Sequence, residues 1–332
     1  LTVFLVKFML GVGVGWSAPM LHQLRSSPET AFTSEQCAWI AASHYISRGL
    51  SPVFAIMSLE RLGRNFTFVI ASFIAFIMWI AVYCSRVVYV HYIIRLFFGI
   101  SVGFNDAAAG IYMGENCSPH VRGIFSGIHM AFFYLGEVVE FVLAAYLSYE
   151  WVAIVSGILG FFVTVSMFLL KEPAHFLIMK GNLAKAEKNY DYLHDLQNMK
   201  TKLEFKDIKQ YVSRMKENSF SLQALWSKEA ARSLRIVLNS SFIAIAGGFA
   251  AVNSFVTIAL AGSDGLSTTD LTILFGLAQF ITVTFSTAFL DTFNRRTLYL
   301  FSCASIVIIH AATAALYYFN LIYTIPYFNP LL

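Results

Sequence analysis

The chain has 332 residues, of which 58% are hydrophobic and 13% charged, with a formal net charge of +4 and a mean hydropathy of +0.66. Soluble domains carry about 25% charged residues, so this composition excludes a disordered chain and a disulfide-framed secreted module. Half of the charge, 13 Lys/Arg and 8 Asp/Glu, lies in Lys171–Arg235; the basic excess belongs to that stretch and is no nucleic-acid footprint.

A helix that crosses a bilayer needs about 20 mostly apolar residues. Nine segments qualify: Thr2–Leu21, Cys37–Leu59, Phe66–Cys84, His91–Met113, Ile124–Leu147, Trp151–Leu170, Ile236–Ala261, Leu271–Leu290 and Leu298–Phe319. The first lacks a basic leader and a small-residue cleavage site, so it reads as a span and not a signal peptide. The chain starts at Leu1, which reads as a fragment or a trimmed end. Positive charge sets sidedness. With the N-terminus inside, the inner loops hold 18 of the 23 Lys/Arg and the outer loops only Arg25 and Arg86. The glycosylation patterns at Asn65, Asn116 and Asn239 then fall on the inner side, and the four cysteines read as buried or free thiols.

Between spans six and seven, Leu183, Ala186 and Tyr190 recur at helical spacing, as do Phe205, Ile208, Val212 and Met215 among lysines. Both sets predict short amphipathic helices at the inner surface. No P-loop, C-x-x-C, H-E-x-x-H or Ser/His/Asp constellation occurs, so neither an enzyme nor a metal or cofactor site is expected.

Two inner loops share a signature. Glu60-Arg-Leu-Gly-Arg64 closes the second span, and Asp291-Thr-Phe-Asn-Arg295-Arg296 closes the eighth. Recurrence at spans two and eight predicts two related halves of six helices, a transporter architecture.

With these motifs the chain resembles the sugar porter branch of the major facilitator superfamily, and within it the insect trehalose transporter group. Arg95 with Gly99 and Gly103 fits the fourth-span pattern, and Tyr112, Glu115, Pro119 and Arg122-Gly123 fit the run that follows. Glu172-Pro173 with Lys180-Gly181 fits the segment after span six, and Gly15-Trp16-Ser17-Ala18-Pro19 the end of span one. The resemblance implies an all-α membrane protein of truncated major facilitator fold. Its parts would be a six-helix N-terminal bundle (1–170), a cytoplasmic helical insert (171–235) and three helices of a C-terminal bundle (236–332).

The resemblance further implies alternating access in the plasma membrane, facilitative movement of trehalose or a hexose, and an inner charge gate of Glu60, Arg64, Glu115, Arg122, Asp291, Arg295 and Arg296. Partly desolvated ion pairs of this kind would break when the inside opens. Expected partners are a small sugar and the lipid bilayer.

Departures cluster where substrate would bind. The seventh-span Q-Q-x-x-G-x-N run is here Gly247-Gly248-Phe249-Ala-Ala-Val-Asn253, and the fifth-span glutamine is Met130, beside His129. Asn253, Trp16, Met130 and Phe249 are the expected substrate contacts; a helix–helix hydrogen bond is the other reading of Asn253. Ionisable residues appear inside spans instead: His44, Arg48, Asp106, Glu137 and Glu140. Each is costly in lipid and calls for a partner; Arg48 is expected to pair with Asp106 or Glu137. These charges keep open a proton-coupled or organic-ion carrier of the same fold. A non-transporting sensor or degenerate paralogue is the third reading.

Overall fold

The computed structural model describes residues 1–26, 32–118, 121–194, 199–217, 227–260, 267–289 and 292–323. The described residues hold helices and no strands, as expected where lipid leaves backbone groups to be satisfied within the segment. Helices α1 (Thr2–Gly15) and α2 (Ser17–Ser26) make up the first span, with Trp16 at the joint. Then come α3 (Ser34–Arg61), α4 (Arg64–Cys84), α5 (Val88–Asn116), α6 (Arg122–Tyr146) and α7 (Tyr149–Met167). The charged stretch holds α8 (Ala174–Met179), α9 (Leu183–His194) and α10 (Met199–Glu217). It is followed by α11 (Lys228–Ala246), α12 (Phe249–Leu260), α13 (Thr268–Phe289) and α14 (Arg295–Tyr323).

The predicted spans fall mainly on helix, and among the described residues seven helices are long and apolar enough to cross a membrane; the second and seventh expected spans are not among them and differ in kind from the plain apolar rods expected. Helix α3 begins at a reciprocal cap, in which the Thr33 hydroxyl accepts from Gln36 N–H and the Gln36 side chain accepts from Thr33 N–H. It then buries a polar stripe of Ser43, His44, Ser47 and Ser51 at three- and four-residue spacing. The expected seventh span is two helices. Helix α11 starts at Lys228, inside the stretch read as the insert, and ends at Gly247; Gly248, at φ +67°, turns the chain into α12. Only glycine adopts that backbone at little cost.

Close approach is built on glycines at two seams. A Cβ on Gly11 of α1 would collide with the backbone carbonyl of Phe133 in α6, and one on Gly136 of α6 with the carbonyl of Phe8 in α1. On α5, Cβ atoms at Gly99 and Gly103 would meet the hydroxyls of Ser47 and Ser51. Small residues let membrane helices touch backbone to backbone. Helix α4 packs between α5 and α7, while α12 rests on α2 and α13 on α6. None of the apolar Arg296–Ala315 window of α14 is buried.

In the charged stretch Ala174, Leu177 and Ile178 of α8 join Ala186 and Tyr190 of α9 and Val212 of α10 in a small core, with Phe205 and Ile208 against it. Those are the faces predicted from spacing, except that Leu183 stays exposed and the side chain of Met215 lies outside the described residues. All four cysteines are free thiols, and Cys37 is buried.

Candidate functional site

One stripe of α6 organises the centre of the molecule. Met130, Tyr134, Glu137 and Phe141 recur three or four residues apart and so share a face. Tyr134 meets Phe249 of α12 edge-on, with ring centroids 6.3 Å apart. Glu137 Oε1 accepts from Asn253 Nδ2 of α12 at 3.0 Å. Phe141 packs with Val256 of α12 and lies against Gly276 of α13. Asn253 Oδ1 in turn accepts from Gln279 Nε2 of α13 at 3.4 Å. Both amide ends of Asn253 are therefore used within the protein, whereas Glu137 Oε2 and Gln279 Oε1 are buried with no hydrogen-bond partner among the described residues.

Helix α12 also touches α3. The Tyr45 hydroxyl donates to Ala250 O at 3.3 Å and accepts from Ser254 Oγ at 3.4 Å. One turn further along α3, Arg48 Nε and Nη2 reach Asp106 Oδ2 of α5 at 3.1 and 2.7 Å. The other oxygen, Asp106 Oδ1, accepts from Lys7 Nζ of α1 at 2.5 Å, and the Lys7 ammonium lies 4.9 Å from the centre of the Phe133 ring. One carboxylate thus serves two cations from two other helices. Lys7 is 2% exposed, but Arg48 and Asp106 keep 34% and 30% of their side-chain surface.

Glu137, 0% exposed, engages Asn253 rather than Arg48, and Glu140 accepts from Ser156 Oγ at 3.0 Å. His44 is buried with neither ring nitrogen bonded. Trp16 belongs to a different cluster. Its ring stacks on His91, the Arg95 guanidinium lies 4.3 Å from its centre, and Arg95 Nη1 donates to Gly13 O at 2.8 Å. Met130 and Phe249 are exposed. A crevice of about 880 Å³ between the start of α3 and the α12–α13 pair is mainly apolar, and Arg25 is its one charged lining residue.

At the start of α4, Arg64 grips Glu115 with two bonds, Nε to Oε2 at 3.0 Å and Nη2 to Oε1 at 2.5 Å. Its Nη1 donates to Leu59 O at 3.2 Å. Gly63, at φ +103°, makes the tight turn that lets α4 start at Arg64. Glu172 closes the array by accepting from the backbone N–H groups of Arg64 and Asn65 at the head of α4, where the helix leaves donors unsatisfied. Burial pushes the Glu172 carboxyl above the usual carboxylate range, against the pull of those two bonds. Arg122 Nη2 donates to Gly114 O at 2.8 Å and to Cys117 O at 3.2 Å. Glu60 and Arg296 are exposed. Asp291 and the side chain of Arg295 lie outside the described residues.

Three participants escaped the reading of the sequence as site residues: Lys7, Gln279 and Glu172. Lys7 is a lone charge in an apolar run, Gln279 a lone amide in another, and Glu172 stands in the sequence only as part of a motif.

Helices of membrane-crossing length with charged and amide side chains buried among them define a multi-pass membrane protein. The model of the "Sugar (and other) transporter" family matches residues 2–324, and the chain belongs to that family. Facilitated trehalose transporter Tret1 of Anopheles gambiae is 25% identical over 316 residues, which are 93% of this chain and 39% of that protein. Tret1 of Culex quinquefasciatus is 25% identical over 316 residues and is covered to 60%. The chain therefore spans well under two thirds of the length of these curated relatives.

Among solved structures, the proton:xylose symporter XylE bound to 6-bromo-6-deoxy-D-glucose superposes with a TM-score of 0.72 at 16% identity, over 90% of this chain and 70% of that one. A partially occluded inward-open XylE from E. coli gives 0.70 at 17% identity. The fold is that of the major facilitator superfamily, as the motifs implied.

Proposed function

We propose that the protein moves a sugar, trehalose or a hexose, across the plasma membrane by facilitated alternating access, with its N-terminus and residues 171–235 on the cytoplasmic side. The observation that carries this reading is the buried Glu137–Asn253–Gln279 chain, which joins α6 to α12 and α13 through atoms suited to sugar hydroxyls. Among the described residues Glu137 Oε2 and Gln279 Oε1 have no hydrogen-bond partner, and buried polar atoms left unpaired are costly. A polyol supplies the missing hydroxyl donors.

The inner gate in this reading comprises Glu60, Arg64, Glu115, Arg122, Asp291, Arg295 and Arg296, of which Arg64 and Glu115 are paired with each other. Family membership and the low exposure of the Arg64–Glu115 pair, 8% and 14%, support it. The organisation into 1–170, 171–235 and 236–332 belongs to the same proposal.

The test is uptake of radiolabelled trehalose and glucose into liposomes carrying the purified chain, alongside binding in detergent. Saturable binding or uptake that Asn253→Ala weakens is the expected result. A folded protein that neither binds nor moves either sugar overturns the reading and favours the non-transporting one.

A further inference from the structure

A neutral sugar carries no charge to be balanced, so the charges gathered at Asp106 call for an account of their own. A charge inside a membrane helix is expensive and normally marks a functional pathway or a paired group. Here two cations, Lys7 and Arg48, converge on one carboxylate. The other two carboxylates nearby, Glu137 and Glu140, are fully buried and held by neutral partners, Asn253 and Ser156. The accessible face of the cluster therefore consists of Arg48 and Asp106 alone, and Asp106 has both oxygens occupied, Oδ1 by Lys7 and Oδ2 by Arg48.

This saturation decides the sign of the ligand. An ammonium arriving at the cluster meets a carboxylate already shared by two cations. A carboxylate meets a guanidinium that has given only Nε and Nη2 to Asp106, out of five N–H donors. One turn earlier on α3, His44 adds two buried ring nitrogens without hydrogen-bond partners.

We infer that Arg48 is a binding residue for the carboxylate of a sugar acid, so that the substrate class includes hexuronates. The inference rests on the sugar reading above and narrows it. The guanidinium discriminates through a charge-assisted bond that a neutral sugar cannot match.

The experiment compares D-glucuronate, D-glucuronamide and D-glucose by isothermal titration against the full chain in lipid nanodiscs at neutral pH. The acid and the amide are close in shape and differ in charge. The acid is expected to bind at least about tenfold more tightly than the amide, the scale of one hydrogen bond to a charged group. Arg48→Gln brings that ratio close to one, and Arg48→Lys, which keeps the charge but loses the fork, retains part of it.

A wild-type ratio near or below one overturns the inference whether or not Arg48→Gln folds. Glucose binding without any preference for the acid overturns the inference alone and leaves the sugar reading standing. Failure of all three ligands to bind overturns both.

Discussion

Asn253 Nδ2 of α12 donates to Glu137 Oε1 of α6 across 116 residues of sequence, at 3.0 Å and out of solvent. With Gln279 bonded to its other end, Asn253 cannot be replaced by an apolar residue without stranding partners on two helices. Asn253→Leu is expected to cost about 0.6–1.7 kcal/mol, the range for polar contacts between membrane helices. Glu137→Gln, whose amide oxygen still accepts, costs less. Thermal melts of both variants and of the double Asn253→Leu/Glu137→Leu variant check this; strictly additive losses would mean that the two side chains do not act on one another.

The Arg64–Glu115 pair is held by two hydrogen bonds with little exposure. Arg64→Gln leaves Glu115 without its counter-charge, and breaking a buried pair from one side costs about 3–5 kcal/mol. Cys117, two residues beyond Glu115 and half-buried, reports on the end of α5. Maleimide should label Cys117 several-fold faster in Arg64→Gln than in the wild type. Equal rates, with the fold intact, would show that the pair does not fasten α5 to α4.

Glu172 has its carboxyl pushed up by burial despite two backbone donors. A carboxyl whose folded value exceeds the unfolded value of about 4.3 holds its proton more firmly when folded. Its contribution to stability is then complete below that unfolded value and is lost as pH rises through the raised folded one. Melting temperatures of the wild type relative to Glu172→Gln should therefore fall with rising pH across this window. A difference that is flat, or that rises, contradicts the assignment.

Glycine positions separate by what stands opposite them. Gly11→Ala forces a Cβ onto the Phe133 carbonyl, whereas nothing lies within 4 Å of a Cβ on Gly110. The first substitution should sharply reduce the yield of monodisperse protein. The second should be neutral or stabilising by about 0.5–1 kcal/mol, because alanine fixes a helix interior better than glycine. Size-exclusion profiles and melts of the two variants give the comparison.

The helices were legible because apolar length is a local property and each run can be read alone. The face of α9 around Ala186 and Tyr190 was legible for the same reason, through its spacing. Arg48 and Asp106 stand out as charges in apolar surroundings, but the sharing of Asp106 with Lys7 depends on α1 and α5 meeting 99 residues apart. No spacing rule encodes that. Gly247-Gly248 drew notice for the amides missing there, while its physical effect is the left-handed turn that splits the span. Glu172 looked like part of a motif, and its bonds to the head of α4 exist only because the turn at Gly63 brings that helix end within reach.

The two faces of α6 differ in mechanical character. Toward α1 it interlocks through Gly11 and Gly136, each set against a carbonyl of the other helix, so neither helix can slide along the other without a steric collision. Toward α12 it offers one hydrogen bond, one edge-on pair of rings and the Phe141–Val256 contact, all made by side chains. Toward α13 the fit is close again, because a Cβ on Gly276 would strike Phe141 and one on Gly127 would strike Thr287.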